Sequence, residues 1–487
     1  GERLDGPDSV AACLKHYVGY GASEGGRDYV YTEVSPQNLW EMHLPPFAAG
    51  IRAGARSVMS GFNDLNGIPT SANPYILTEI LRHRWGLTGP VVSDWAAVAQ
   101  LVNQGFAADG VEAAAKALTA GVDIDMASGL YHDHLAALVA AGRVPLSALN
   151  EAVRRVLRLK FELGLFERPY AEPNPLTAAA PSPSQFPLLE ELAARSLVLL
   201  KNDGVLPLAA VAKSIALLGP LADTSAPLLG CWAQQGRPDE TQSIASALRE
   251  RLPTGTSLRV EPGCSIQGAA TDDLASAIAA ARASDLVILC VGEDGSMSGE
   301  NASRTTLRLS GRQEELIQAV ATTGKPVVLV VVAGRPLELH ALEEKMSAIV
   351  AAWAGGTRAA AALADILLGR RHPSGRLAVT WPRTAGQIPL YHKMRPRARP
   401  GDQGAYCDFP TTPLYEFGHG LHDLRLQPDP PRPPRGQNRR PAGRRGHGHQ
   451  HRRPRRGGNR LLVHPRSRRQ PHPSLEGTET FRAGRAC

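Results

Sequence analysis

Apolar and polar positions in the first third of the chain alternate between two periods. Short apolar runs, typical of buried strands, are separated by stretches with an apolar residue every three or four positions, typical of amphipathic helices. The predicted strands are Ala11–Tyr20, Ser57–Phe62, Pro90–Asp94 and Val122–Met126, and the predicted helices are Pro36–Ala53, Pro74–Trp85, Gly110–Ala120, His132–Ala141 and Leu146–Leu165. A strand followed by a helix, repeated every ~30 residues, is typical of a parallel sheet or barrel. About four such units occur, whereas a closed (β/α)8 barrel needs about eight.

A second domain with the same alternation is predicted over residues 187–425. Residues 167–186, which precede it, are rich in Pro, Ala and Ser and are interpreted as a linker. The predicted strands are Ser214–Leu218, Ser257–Val260, Leu286–Val291, Pro326–Val332 and Ala348–Trp353, and the predicted helices are Leu188–Leu200, Thr241–Arg251, Asp272–Ala283, Ser310–Thr322 and Thr357–Leu368. Apolar strands such as VVLVVV indicate a sheet that is covered on both faces. The pattern therefore predicts an α/β protein with domains at residues 1–166 and 187–425.

The last segment, residues 426–487, shows neither period and is dominated by Pro and Arg, so we expect it to be disordered. Residues 427–487 hold 16 Arg and no Lys against three acidic side chains, a local balance of +13. Because the net charge of the chain is +8, the remainder carries −5, and the basicity belongs to the tail alone. No apolar run is long enough to span a membrane. The six cysteines are scattered and lack the spacing of a zinc site.

Four segments carry recognisable motifs: LKHYVGYGASEGGRDY (residues 14–29), GLTGPVVSDWAAV (86–98), VGEDGSMSGENASR (291–304) and PSGRLAVTWPRTAGQIPLY (373–391). Together with shorter matches, in order over residues 5–421, they resemble the glycoside hydrolases of family 3, especially bacterial β-glucosidases. The resemblance implies a (β/α)8 barrel, an α/β sandwich and a fibronectin-III-like domain, with the active site between the first two. The expected architecture is therefore a partial (β/α)8 TIM barrel followed by an α/β sandwich domain, with the disordered basic tail in place of the third domain.

Two carboxylic acids are the candidate catalytic residues. Retaining glycosidases place a nucleophile and a general acid/base about 5–5.5 Å apart. Asp94 ends a predicted barrel strand, where such groups are found, although an Asp there also suits a helix N-cap. The family's S-D-W motif implies that Asp94 is the nucleophile. The stretch S-G-E-x-x-S-R implies Glu300 as the general acid/base, with Glu293 in reserve, although loop carboxylates are usually only solvated.

Five further residues are implied to bind the sugar. Lys15 and His16 match a pair that hydrogen-bonds sugar hydroxyls in the family, since Lys offers three donors and His one. Met59 and Phe62 lie on the segment that lines the sugar pocket, although a place in the core is the simpler interpretation of each. Trp95 follows the nucleophile and is placed to stack on a sugar ring. No cofactor or metal is expected, because two carboxylates suffice for the reaction.

The chain departs from the family's pattern at both ends. Nothing corresponds to the first barrel strands, whose Asp and Arg hold the outer sugar hydroxyls. Since half a barrel leaves an exposed edge strand, we expect this polypeptide alone to be inactive or poorly folded. Codons that can encode three segments of the tail were chosen from the degenerate sets and read in a shifted frame, and they then encode sequence similar to the family's last domain. We therefore interpret the tail as the product of a frameshift near Leu421–His422. Metal binding by HGHQH and nucleic-acid binding by the arginines are the disfavoured alternatives.

The predicted function is that of a retaining, exo-acting β-glucosidase whose substrate is a small-molecule glucoside or an oligosaccharide. A β-xylosidase or α-L-arabinofuranosidase of the same family is the nearest alternative. The second alternative is a truncated gene product without activity. Neither a nucleic acid nor a membrane is expected as a partner.

Overall fold

A computed structural model describes residues 9–170, 182–208, 212–269, 272–396, 398–399 and 406–421. The predicted linker is thus described only at its two ends. The tail at 426–487 and its predicted disorder lie outside the described residues. The described residues all belong to one compact unit, residues 1–428. None of the helices in the described ranges is long and apolar enough to cross a membrane.

The described part of the first domain is built on short strands, and three of them pair in parallel. They are β1 (Cys13–Tyr17), β2 (Ser57–Ser60), β3 (Asp64–Leu65), β4 (Ile68–Pro69) and β5 (Val91–Val92). A parallel sheet has the order β1-β2-β5, and β3 and β4 form a separate antiparallel pair. Neighbouring parallel strands joined by helical crossovers are the repeating unit of a (β/α)8 barrel.

The fourth predicted strand, Val122–Met126, is reduced to a single bridge between Val92 and Ile124. At this bridge Ile124 exchanges backbone hydrogen bonds with Val91 and Ser93, and beyond it the Ser93 hydroxyl accepts a hydrogen bond from the Met126 backbone N–H at 2.9 Å. The prediction of a full strand here was therefore wrong in extent, although the chain does run beside β5.

Buried Asp123 ties the end of the first domain to its sheet. Its carboxylate accepts from the Val91 N–H at 2.7 Å and pairs with Arg82 at 2.6 Å and Arg155 at 2.8 Å. Arg155 belongs to the last helix of the domain, Leu146–Glu162. A buried carboxylate with two cations and a backbone donor has its charge compensated, so the helix is anchored at this point.

The helices of the first domain pack on the sheet around an apolar core. Apart from short 3₁₀ turns, they are Pro36–Asn38, the π-type turn Leu39–His43, Leu44–Arg52, the π-type helix Tyr75–Arg84, Ala97–Asn103, Gly110–Ala120, Leu130–Ala140 and Leu146–Glu162. The helix predicted over Pro36–Ala53 is interrupted just before Pro45 and Pro46, which have no N–H to continue a regular ladder. The helix Ala97–Asn103 was not predicted.

The second domain is a six-stranded sheet between two layers of helices. Its strands are β6 (Val198–Asn202), β7 (Ser214–Leu218), β8 (Ser257–Glu261), β9 (Leu286–Gly292), β10 (Val327–Val332) and β11 (Ala348–Ala351), in the order β6-β11-β10-β9-β7-β8. All pairings are parallel except that of β6 with β11. The helices are Phe186–Ser196, Ala226–Leu229, Ile244–Arg251, Leu274–Arg282, Gln313–Ala321 and Ala359–Leu367. Every residue of β9 and β10 is buried, and an apolar core lies on each face of the sheet.

One predicted helix of this domain, Leu188–Leu200, was wrong in its last turn. The helix ends at Ser196, and β6 begins at Val198 and pairs antiparallel with β11. A continuous apolar run satisfies the helical period and a buried strand equally well, so pairing with the sheet edge decides its conformation.

Candidate active site

Asp94 follows β5 and is only 7% exposed. Its Oδ1 accepts a hydrogen bond from the Trp95 backbone N–H at 2.7 Å. Its Oδ2 is buried and has no hydrogen-bond partner within the described ranges. His16 Nε2 lies 3.2 Å from Oδ2, but it is not aligned for a hydrogen bond. One carboxylate oxygen is therefore held by the backbone, and the other is unpartnered.

A tight strand-to-helix turn fixes the Asp94 backbone. Ala96 adopts a left-handed conformation (φ 53°) and donates its N–H to the Met126 carbonyl at 2.8 Å. The helix Ala97–Asn103 begins at once, with the Ala97 N–H bonded to the Asp94 carbonyl at 3.0 Å. A non-glycine residue with positive φ is uncommon and strained, so surrounding contacts hold this turn in place.

Lys15 and His16 belong to β1, which pairs with β2. Lys15 is exposed and His16 is half-buried. Burial lowers the pKa of His16, and the neighbouring Asp94 carboxylate opposes that shift. A neutral imidazole has one donor and one acceptor nitrogen, so His16 suits a hydroxyl-rich ligand.

Glu300 reaches the first domain from the loop that follows β9. Its Oε1 accepts a hydrogen bond from the Tyr29 hydroxyl. The next residue, Asn301, donates its backbone N–H to Asp28 Oδ2 at 2.7 Å. Ser303 donates its hydroxyl to the Gly26 carbonyl at 2.7 Å. The loop that carries Glu300 is therefore docked on residues 26–29 of the barrel domain.

Glu293, the reserve candidate, is placed differently. It is 2% exposed, and its two oxygens pair with Arg304 Nη1 at 2.5 Å and Arg335 Nε at 3.2 Å. Arg335 also donates to the Met297 carbonyl and, at 2.9 Å, to the Ala302 carbonyl. Both oxygens of Glu293 are thus engaged by cations that brace the loop, which is the geometry of a structural residue.

A cavity of about 750 Å³ unites the candidate residues from the two domains. Its lining consists of Lys15, His16, Tyr20, Asp28, Tyr29, Phe62, Asp94, Trp95, Gln100, Trp232, Gly299 and Glu300. Six of the seven predicted site residues are in this set. The seventh, Met59, lies half-buried on β2 opposite Val92 and is not among the lining residues of the described chain.

The cavity has an aromatic wall that the sequence analysis did not predict in full. Phe62 packs edge-on against Tyr29 at 5.0 Å between ring centroids and tilted against Tyr20 at 6.0 Å. Trp95 and Trp232 line the cavity with 67% and 64% of their surface exposed. Tyr29 lies within the motif GGRDY, which was a usable signal, whereas nothing local distinguishes Trp232 from a core tryptophan.

Comparison with known proteins decides the family. The model of the glycosyl hydrolase family 3 N-terminal domain matches residues 3–159, and that of the C-terminal domain matches residues 197–422. The chain belongs to glycosyl hydrolase family 3. The predicted family and the predicted fold, a barrel portion followed by an α/β sandwich, are confirmed.

Named relatives of this family 3 chain have two kinds of activity in their names. It is 36% identical to a periplasmic β-glucosidase of Salmonella typhimurium, over 85% of this chain and 58% of the relative. It is 34% identical to a β-xylosidase of Formosa agariphila, over 86% of this chain and 60% of that protein. The chain thus spans about three fifths of the length of these relatives.

Solved structures give the same result. A β-glucosidase from Listeria innocua in complex with glucose superposes with a TM-score of 0.80 at 37% identity, over 85% of this chain and 58% of that one. A β-glucosidase from Erythrobacter marinus superposes with a TM-score of 0.76 at 33% identity, over 85% and 58%. The fold described above is therefore that of family 3 enzymes over the matched region.

Proposed function

We propose that this family 3 chain is a retaining, exo-acting β-glucosidase in which Asp94 is the nucleophile and Glu300 the general acid/base. The observation that carries the proposal is that these two carboxylates, 206 positions apart in the sequence, line one cavity. Within the described residues, Oδ2 of Asp94 accepts no hydrogen bond, which supports the nucleophilic role because its lone pairs are available for attack. Relatives named β-glucosidase support the sugar.

The reaction proceeds in two displacements. Asp94 Oδ2 attacks the anomeric carbon and forms a glycosyl ester, while Glu300 gives its proton to the departing glycosidic oxygen. Water then attacks the same carbon and loses a proton to Glu300, and the ester bond to Asp94 breaks. Two inversions leave the anomeric configuration unchanged.

The other predicted residues hold the sugar. Lys15 and His16, which line the cavity, bind sugar hydroxyls, and Phe62 and Trp95 supply apolar surface for the faces of the ring. Met59 is retained as a weaker candidate, because it lies half-buried on β2 and does not line the cavity. The substrate is a small glucoside or the non-reducing end of an oligosaccharide.

Hydrolysis of 4-nitrophenyl β-D-glucoside by the purified chain tests this proposal. Turnover that Asp94→Asn reduces by at least ~10³-fold, because the nucleophile is lost, would support the proposal and refute the expectation that this polypeptide alone is inactive. Glu151→Gln, which neutralises a half-exposed carboxylate on the helix Leu146–Glu162, is the matched control. An inactivator that traps the glycosyl enzyme, 2-deoxy-2-fluoroglucosyl fluoride, should label Asp94 in a peptide map. Absence of both turnover and labelling would favour the inactive product anticipated from the sequence.

A second candidate is β-xylosidase activity, including the β-xylosidase/α-L-arabinofuranosidase type. It is favoured by relatives with those names at similar identity, 34% and 32%. The two sugars differ in the hydroxymethyl group of glucose, so aryl β-glucoside and aryl β-xyloside compete directly for the same cavity. The ratio of kcat/KM for the two substrates decides between the candidates.

A further inference from the structure

We propose that Tyr29 is a positioning residue for Glu300: its hydroxyl occupies Oε1, so that the transferable proton is carried by Oε2. This inference rests on the proposed acid/base role of Glu300. The hydrogen bond from Tyr29 to Glu300 joins residues 271 positions apart and links the two domains at the cavity. A carboxyl group whose two oxygens are distinguished in this way presents its proton in one direction only.

The backbone and the ring of Tyr29 are both held in place. Its φ of 62° is left-handed, which is costly for a bulky residue and persists only where neighbours impose it. Its N–H donates to the Tyr20 hydroxyl at 3.3 Å, and its ring packs edge-on against Phe62. The hydroxyl at the far end of the ring is therefore delivered to a fixed point in the cavity.

The Tyr29 hydroxyl is a donor throughout the working range of such an enzyme. Partial burial and the adjacent Glu300 carboxylate raise the pKa of Tyr29 to about 12. Since the phenol keeps its proton, it can only direct the Glu300 proton to the other oxygen and cannot compete for it. In the first step, the proton on Oε2 moves to the glycosidic oxygen as the bond from that oxygen to the anomeric carbon breaks.

Two further contacts show that this arrangement is a docked segment and not a single hydrogen bond. Asp28 accepts from the Asn301 N–H, and Gly26 accepts from the Ser303 hydroxyl, both at 2.7 Å. Residues 26, 28 and 29 thus meet residues 303, 301 and 300. The segment fixes the backbone on one side of Glu300, while Tyr29 fixes the side chain.

Leaving-group dependence tests the positioning role. Tyr29→Phe should lower kcat/KM about tenfold for phenyl β-glucoside, whose leaving group needs protonation, because general acid catalysis contributes ~10²-fold or more in total. It should change hydrolysis of 2,4-dinitrophenyl β-glucoside less than twofold, because that group leaves without a proton. Tyr31→Phe removes a hydroxyl two residues away that does not line the cavity and should leave both rates unchanged. Equal losses on both substrates, or none, would overturn the proposal.

Glu300→Ala separates this inference from the function on which it rests. If Glu300→Ala shows no steep leaving-group dependence, the acid/base role itself is wrong. If Glu300→Ala is steep and Tyr29→Phe behaves as Tyr31→Phe does, only the positioning role is wrong.

Hydrogen exchange tests the docking without turnover. The Asn301 amide should exchange at least ~10-fold faster in Asp28→Ala than in the unmodified chain, since its acceptor is lost. Asp28→Asn keeps an acceptor oxygen and should retain most of the protection. Tyr29→Phe should raise exchange across residues 298–304. An Asn301 amide that is equally protected in Asp28→Ala would refute the docked segment.

Discussion

Replacing Glu293 by Gln tests how the loop that carries Glu300 is held. The side chain keeps its shape but loses its charge and one of its two acceptor oxygens. Arg304 and Arg335, whose side chains are only 17% and 19% exposed, then face one carbonyl oxygen and an amide NH₂. Arg335 also holds the carbonyls of Met297 and Ala302, on either side of Glu300. The substitution should therefore weaken both the second domain and the loop.

The expected loss of stability follows from the burial. Removing one member of a buried ion pair costs ~3–5 kcal/mol, because the remaining charge is left without compensation. Gln retains one acceptor for an arginine, so the lower end, about 3 kcal/mol, applies. With a urea dependence of about 3 kcal/mol per molar for a domain of this size, the midpoint of unfolding should fall by about 1 M.

Urea unfolding followed by tryptophan fluorescence measures this shift, since two of the six tryptophans, Trp353 and Trp381, lie in or against a core of the second domain. Glu315→Gln is the matched control. Its carboxylate pairs with Arg312, but both side chains are about half exposed, so the midpoint should hardly move. A fall of less than ~0.3 M for Glu293→Gln would show that the buried cluster gives no net stabilisation, and the bracing role of Arg335 would be refuted.

Three further outcomes follow from the structure. Gly292→Ala should destabilise the second domain by at least about 3 kcal/mol in urea unfolding. The reason is that the backbone φ of Gly292 is 143° and the new Cβ would lie 1.8 Å from a carbonyl oxygen of β10. Gly386→Ala is the control, because no atom lies within 4 Å of its new Cβ. Burial lowers the pKa of His16 below its ordinary 6.5, so the unfolded chain binds this proton first and stability falls as the pH drops below 6.5. When the urea midpoint of unfolding is plotted against pH, His16→Gln should flatten the curve below pH 6.5. An unchanged slope would contradict the assignment of this pH dependence to His16. A thiol reagent should modify exposed Cys13 in the native chain but Cys290, whose thiol pKa is raised by burial, only after denaturation.

The sandwich domain was predictable because its strands are simple. In Leu286–Gly292 and Val327–Val332 every residue is buried, so the apolar runs in the sequence mark the strands to within one residue. The helices between these strands each have one apolar face, so the spacing of apolar residues in the sequence predicts them. The error at Leu188–Leu200 came where two elements share one apolar run, and no local pattern marks the change.

The first domain was harder, because its regular pairing is short. The segment Val122–Met126 makes backbone hydrogen bonds to β5 at only one bridge, and the side chains of Asp123 and Ser93 supply further contacts, so its composition predicts a longer strand than it forms. The helix Ala97–Asn103 is only seven residues long, too short for its period to be recognised.

Some residues of the candidate site could be identified from local sequence motifs, and others only from the folded structure. Asp94 and Glu300 lie in motifs that are continuous in the sequence, so both could be named beforehand. The hydroxyl of Tyr29 acquires a role only because the fold brings it to a loop 271 positions away. Trp232 enters the cavity from the second domain for the same kind of reason. Contacts of this range have no periodicity, and residue type alone does not reveal them.

The surroundings of the two carboxylates fit the roles proposed for them. A nucleophile must be held rigid and shielded until it attacks, and Asp94 is buried, with one oxygen bonded to the backbone of the next residue. A general acid/base must exchange a proton with water in every cycle, and Glu300 is exposed and lines the cavity. Exchanging the two roles would require the buried oxygen of Asp94 to be reprotonated in every cycle although it is shielded from solvent. The difference in burial therefore favours this assignment independently of the sequence motifs.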